Sequence, residues 1–357
     1  MDGPTDSCSG VDDRRHAATL LPLGVESERP GVQKQIGAGS LRKSAPAIRI
    51  RTDQSEGIAN VVHRILGARY GRAWERNFVD RAFRFTDRAY AGRHCGWLGC
   101  DTPYHDLQHA LATALLFARM IDGRERVRDR GARPLAATTA ASAIAVALMH
   151  DCGFLRRPHE KHIRGAALTA VHEARSIEFA REFLARSTLP QTAPLSQLID
   201  ATRLSGSPHN FVDPEQQLLA QMLGTADLVS QLADRRYIAR VYCELYFEFV
   251  EAGIARGPDG RNSGARFQSA EQLVLETPAF YGEVVAPHLD GPLGGTRRFI
   301  GAHFGGLDPF QRAIDRNIQF ALAVSKSGRF DLLRAHPETG GEAGLFARRG
   351  YGKNCRD

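Results

Sequence analysis

The chain has 357 residues, 43% of them hydrophobic and 24% charged, which is ordinary for a globular protein with a sizeable core. Its formal net charge of +7 is spread along the chain, with no Lys/Arg block and none of the motifs of RNA- or DNA-binding modules. The charge therefore does not indicate nucleic acid as the main partner, although it favours anionic small molecules by long-range attraction.

In chain order, residues 1–54 mix Gly, Ser, Pro and charges with little apolar periodicity, and a flexible arm is expected there. The first residues place acids ahead of the basic pair Arg14-Arg15 and have only a short apolar run, unlike a secretory signal. From Ile58, the residues Val61, Val62, Ile65 and Leu66 recur at helical spacing. Ala82, Phe83 and Phe85 mark a second helix, and 92–100 reads as a loop. Asp101-Thr102-Pro103 reads as a helix start, and the helix is expected to hold His105 and run through Met120. The charged stretch 123–134 reads as a connection.

Leu135 to Asp151 is expected to be a buried helix. Its apolar part, Leu135 to Met149, is shorter than the ~20 residues a membrane span needs. Gly153 and Pro158 mark a loop carrying His159 and His162. Helices are then expected over 165–185, 195–204, 214–232, 237–252, 271–288 and 309–325, with a polar loop at 253–264 and a flexible tail at 336–357. Alternating strand patterns are almost absent and no internal repeat is found. The reading is one all-α domain over 55–335. Six scattered cysteines without a C-x-x-C pair argue against a thiolate zinc knuckle and suit a reducing, cytoplasmic compartment.

Four short pieces carry the chemistry. His105 and His109, four apart, share a face if both lie on one helix. Taken alone, the pair reads equally well as two surface histidines. His150-Asp151 ends an otherwise apolar segment, where a charged dyad is costly to bury unless it is paired or bound to a cation. Asp227 is again a carboxylate inside an apolar helix, and it completes a His, His, Asp, Asp set. Mixed imidazole and carboxylate donors suit Mn, Fe, Co, Ni or Zn, with Mg at a second, mostly watered position bridged by Asp151. Arg156, Arg157, Lys161 and Arg164 form a basic loop after the dyad, either solvated or a phosphate gate.

The order H-x-x-x-H, then H-D, then D resembles the HD superfamily of metal-dependent phosphohydrolases. Tyr104-His105-Asp106-Leu107-Gln108-His109-Ala110 resembles the Y-H-N-x-x-H-A element of its cyclic-nucleotide phosphodiesterase branch and bacterial relatives. His172-Glu173-Ala174-Arg175-Ser176, Ile199-Asp200-Ala201-Thr202 and Ala226-Asp227-Leu228 resemble their N-E-x-x-S-A, I-x-x-T and D-A-D-L elements. Asp106 and His172 each stand where those relatives carry Asn.

The resemblance implies an HD-type helical bundle that holds one divalent ion or two (Mn, Fe, Co, Ni, Zn or Mg). His109, His150, Asp151 and Asp227 would be the metal ligands. His105 would be the general acid and a metal-activated water the nucleophile. Glu173 would orient that water or hydrogen-bond His105, and Asp106, His172 and Thr202 would be supporting or substrate-contacting residues. The implied substrate is a phosphate ester, with a nucleotide phosphodiester first. The alternatives are a nucleotidase or nucleoside-triphosphate hydrolase, a non-catalytic nucleotide-binding module, and a di-iron oxygenase on the same scaffold. No S-Q-x-G-F-x-x-F purine clamp is found, so neither cyclic AMP nor cyclic GMP is named as substrate.

Overall fold

The computed structural model of the chain describes residues 55–187, 189, 193–204 and 211–333. The expected arm (1–54) and tail (336–357) lie outside the described residues, as does His209. Within the described residues the protein is all-α: there is no strand, and a lone bridge joins Ala255 to Phe267.

The most apolar segment sets the centre. Helix α4 (Ala137–Met149) is Ala-rich, and every residue from Ala140 to Met149 is buried. A helix that is apolar all round must be covered all round. It packs against α2 (Arg76–Tyr90), α3 (Leu107–Arg126) and α5 (His172–Ala185). Helix α3 is the second buried rod, and it also touches α1 (Ser55–Tyr70) and α6 (Pro214–Leu232). The 3-10 segment Ala193–Thr202 fills the space between α5 and α6.

A second group of helices packs on α6 and α3. Tyr237–Arg240 (α7), Val241–Leu245 and Tyr246–Glu251 (α8) form one continuous helix whose middle five residues are π-wound. Ala270–Phe280 (α9), Tyr281–Val285 and Ala286–Asp290 (α10) repeat that pattern. Arg298–His303 (α11) lies against α3, and Pro309–Ser327 (α12) against α9 and α6. Buried apolar residues from Ile58 to Leu333 join into one core. Asp213-Pro214 and Asp308-Pro309 start α6 and α12 as capping aspartate plus first-turn proline.

Three sequence expectations need correction. The helix carrying His109 begins at Leu107, because the Asp106 carboxylate caps it by accepting from the His109 N–H at 2.9 Å. His105 therefore precedes the helix, and it does not share a helical face with His109. The same helix continues through Gly123, which reads as a breaker in sequence. A Cβ there would stand 1.8 Å from the Phe299 carbonyl oxygen, so glycine is what lets α11 cross α3 closely. Finally, 165–185 is split into a 3-10 turn (Gly165–Leu168) and α5, and the short α11 was not anticipated.

Asp122 ties three elements together. This buried carboxylate accepts from Arg69 of α1 at 2.8 Å, from Arg126 at 2.5 Å and from His303 of α11 at 2.7 Å. Burial works against its charge, but these hydrogen bonds hold the carboxyl below its usual range. The stabilisation is complete above the unfolded-state carboxylate pKa and is lost as pH falls through the depressed folded value. Acid titration of Tm should show wild type losing more stability than Asp122→Asn below about pH 4. Parallel acid curves would show that the charge contributes nothing.

Candidate metal centre

The dyad sits where α4 runs out. His150 is the residue that caps that helix just after Met149, and Asp151 precedes the 3-10 turn Cys152–Phe154. His109 comes from the first turn of α3 and Asp227 from the middle of α6. All four side chains are buried. The donor atoms of His109, His150 and Asp151 lie within 4.8 Å of one another. His109 Nε2 is 3.1 Å from His150 Nε2, 3.1 Å from Asp151 Oδ2 and 3.0 Å from Asp227 Oδ1. His150 Nε2 is 3.1 Å from Asp151 Oδ2 and 3.5 Å from Asp227 Oδ1.

These separations suit a shared cation. Donors about 2.1 Å from one ion stand about 3.0 Å apart at right angles and about 3.4 Å apart in a tetrahedron. Two further observations agree. His150 Nδ1 lies 2.8 Å from the Ala147 carbonyl, which holds a proton on Nδ1 and turns Nε2 into the cluster, where an arriving cation would take the place of the second proton. Asp151 Oδ2 stands 3.1 Å from two imidazole nitrogens yet accepts no hydrogen bond. Burial opposes charge on His150, Asp151 and Asp227. Even so, Asp151 and Asp227 hold the His150 ring well above the usual imidazole range, and the imidazoles hold both carboxyls well below theirs. The residues present fit a divalent ion.

The surrounding contacts orient the donors. Gln231, one turn beyond Asp227, donates from Nε2 to Asp227 Oδ1 at 2.7 Å, and its Oε1 accepts from the Tyr104 hydroxyl at 3.0 Å. The turn after the dyad is clamped by α5. The Gly153 N–H donates to Ser176 Oγ at 2.8 Å, and Arg175 donates to the Gly153 and Leu155 carbonyls and, through both terminal nitrogens, to Glu160. A Cβ on Gly153 would meet the His172 carbonyl oxygen at 1.8 Å. Because that obstacle is backbone, Gly153→Ala is expected to cost about 3 kcal/mol, the upper end for overpacking, and to lower Tm by about 6 to 12 °C. An unchanged Tm would show that the turn can move away freely.

His105 reaches the cluster from outside the helix. Its ring lies 6.0 Å from that of His109, edge-on. Its Nδ1 is 2.5 Å from Glu248 Oε2, while Glu248 Oε1 accepts from the backbone N–H groups of Tyr104 and His105 at 2.6 and 3.2 Å. The carboxylate that holds His105 is thus Glu248, not Glu173. Glu173 stands 3.3 Å from its own neighbour, His172 Nδ1. Burial works against charge on His105, but the Glu248 charge and hydrogen bond outweigh it and push the ring up to about 9. Glu248 lies three residues beyond the π-wound stretch, in Tyr246-Phe247-Glu248-Phe249-Val250, and is 1% exposed. The same continuous helix also carries Glu244 and Glu251, so the sequence does not single out Glu248 among its three carboxylates. Phe154 also escaped notice. Its ring stacks on His105 at 4.7 Å and on His172 at 4.2 Å.

Other expected residues take other roles. Asp106 caps α3 and lies 3.5 Å from Arg240. The Thr202 hydroxyl donates to the Ile199 carbonyl at 2.8 Å, within its own 3-10 segment, rather than to a donor of the cluster. His172 does join the site, with Nε2 3.8 Å from Asp151 Oδ1. His159 and His162 are exposed, and the His162 ring bonds to the His159 carbonyl. The basic loop is engaged elsewhere: Arg156 pairs with Asp101 at 3.0 Å, and Arg157 lies over the Trp97 ring at 3.4 Å. Arg164 is 3.7 Å from Asp101. These contacts pin three of the loop's arginines, while Lys161 is exposed.

Fold and site together define an all-α protein with a buried His/Asp group able to hold a divalent metal ion. Residues 158–295 are similar to the protein family described as Npun_R2479-like. That stretch includes His172, Asp227 and Glu248 and leaves out His105, His109 and the dyad. No curated protein matches the chain. No helix among the described residues is long and apolar enough to cross a membrane.

Proposed function

We propose that this chain is an HD-type metal-dependent phosphohydrolase acting on a phosphate ester, with a nucleotide phosphodiester as the first substrate class. The observation that carries the reading is a pair of imidazoles, His109 and His150, each 3.0 to 3.5 Å from the carboxylates of Asp151 and Asp227, next to a third imidazole backed by its own carboxylate. His109, His150, Asp151 and Asp227 would hold the ion. A divalent ion there would supply positive charge for phosphoryl oxygens and make a coordinated water more acidic. Gln231 and Tyr104 keep Asp227 turned towards the cluster. Glu248 holds a proton on His105 Nδ1, and the charged ring then offers its Nε2 proton to the leaving oxygen. Phe154 fixes the plane of that ring and shields its inner side from water.

The test is hydrolysis of bis-p-nitrophenyl phosphate, p-nitrophenyl phosphate and cyclic and linear nucleotides by protein loaded with Mn, Co, Ni, Fe or Mg. His105→Ala is expected to keep its metal and lose most turnover on nucleotide diesters, by about 10²- to 10⁴-fold. Tightly bound metal without turnover on any substrate would overturn the hydrolase reading in favour of a binding module or an oxygenase.

A further inference from the structure

Arg119 is a charge without a partner. It lies on the side of α3 that α11 crosses, where Asp122, Gly123 and Arg126 follow it at spacings of three, four and seven. The half-buried side chain sets its guanidinium over two aromatic rings. It is 5.5 Å from the centre of Phe304, which caps α11, and 5.9 Å from that of Phe310, in the first turn of α12. Gly305 and Gly306, both at positive φ, bend the chain between those rings and let them stand 6.2 Å apart. Among the described residues Arg119 forms no hydrogen bond and no ion pair.

Burying a guanidinium is costly unless an anion meets it, and ring faces offset only part of that cost. Neighbouring carboxylates are engaged elsewhere. Asp122 accepts from Arg69, Arg126 and His303, while Asp308 caps α12 and lies 3.7 Å from Arg297. Burial alone pushes the Arg119 guanidinium down to about 10, with no carboxylate acting against it. The positive field extends to His303: burial, joined by the Arg119 and Arg126 charges, holds that ring below the usual imidazole range despite Asp122. Leu307, in the loop between the two rings, is exposed.

We propose that Arg119 anchors a phosphate-binding site between α3, α11 and α12. The guanidinium fork takes two oxygens of the phosphate group, and Phe304, Phe310 and Leu307 form an apolar rim for the body that carries it. Phosphate rather than a monoanion matches a cluster in which three guanidiniums, those of Arg69, Arg119 and Arg126, share the Asp122 carboxylate. The site is separate from the metal centre, since Arg119 is about 15 Å along α3 from His109. It does not depend on the proposed metal or reaction.

The experiment is isothermal titration calorimetry of inorganic phosphate, and separately of phenyl phosphate, into chelator-stripped full-length protein, so that no metal ion draws the anion or cleaves the ester. Wild type is expected to bind phosphate with a Kd of about 1 mM or tighter. Arg119→Met keeps an apolar stem against the rings and removes the unpaired charge, so its Tm without phosphate should not fall. Its Kd should rise at least tenfold, while Asp227→Asn should bind phosphate as wild type does. Tighter binding of phenyl phosphate than of phosphate would assign the rim to the body of a phosphate ester, and equal or weaker binding would assign the site to the free ion. No saturable binding by wild type, or equal binding by Arg119→Met, would overturn the site. Binding lost in Asp227→Asn but kept in Arg119→Met would move the phosphate to the metal centre and overturn it likewise.

Discussion

Asp151→Ala is expected to purify without a divalent ion and to show no rise in Tm when Mn(II) is added. On the proposed reading, the wild-type protein near 100 times its Kd in Mn(II) gains about 2.7 kcal/mol, or roughly 5 to 10 °C for a domain of this size. The variant loses that gain because the Asp151 oxygens face three imidazoles, His109, His150 and His172. Loss of affinity should exceed the roughly 10- to 100-fold that removal of an outer partner costs. The metal-free Tm should also fall, since the variant leaves the buried His150 ring without the carboxylate that favours its charge, so the Mn(II)-dependent rise is read against each protein's own metal-free Tm. Differential scanning calorimetry with and without Mn(II), alongside elemental analysis, reads all three quantities. Equal metal content and an equal rise in both proteins would remove Asp151 from the site.

The second large effect is expected at Glu248. Glu248→Gln keeps an oxygen for the Tyr104 and His105 backbone N–H groups, so the local fold should hold, but it removes the charge facing His105 Nδ1. With Glu248 in place the ring is pushed up to about 9 and stays protonated at neutral pH. Without that charge, burial is opposed only by the Asp151 and Asp227 charges, and the ring's pKa falls back towards the ordinary value of about 6.5. The alkaline limb of the pH–rate profile should therefore move from near pH 9 to below about pH 7. Turnover of nucleotide diesters at pH 8 should fall at least tenfold, within the 10²- to 10⁴-fold that a general acid supplies. p-Nitrophenyl esters should lose less, because their leaving group needs no proton. Metal content should be unchanged. An alkaline limb that stays in place would show that Glu248 does not set the proton on His105.

Most helices were legible because their apolar residues recur at helical spacing or because Asp-Pro pairs mark their starts, as at 213–214 and 308–309. Errors arose where a local signal was overruled from a distance. Gly123 reads as a stop, yet a carbonyl of α11 occupies the space of its missing side chain. Asp101-Thr102-Pro103 reads as a start, yet Asp106 is the cap, and the segment before it is held by Glu248, over 140 residues away. The shift puts His105 outside the helix, and it still meets the cluster, because Glu248 rather than helical periodicity fixes its ring.

The sequence by itself determined that the chain is helical, that α4 must be buried on every side, and that His109, His150, Asp151 and Asp227 are polar groups set in apolar surroundings. Those properties follow from local periodicity and from the cost of burying charge, and both can be read along the chain. Only the tertiary structure decided which carboxylate serves which imidazole. Glu173 is beside His172 in sequence and stays beside it, whereas the partner of His105 comes from α8, brought across by the packing of the second group of helices. Hydrogen-bond partners depend on distances of about 3 Å between atoms of distant segments. No spacing along the chain encodes such distances until the core has packed.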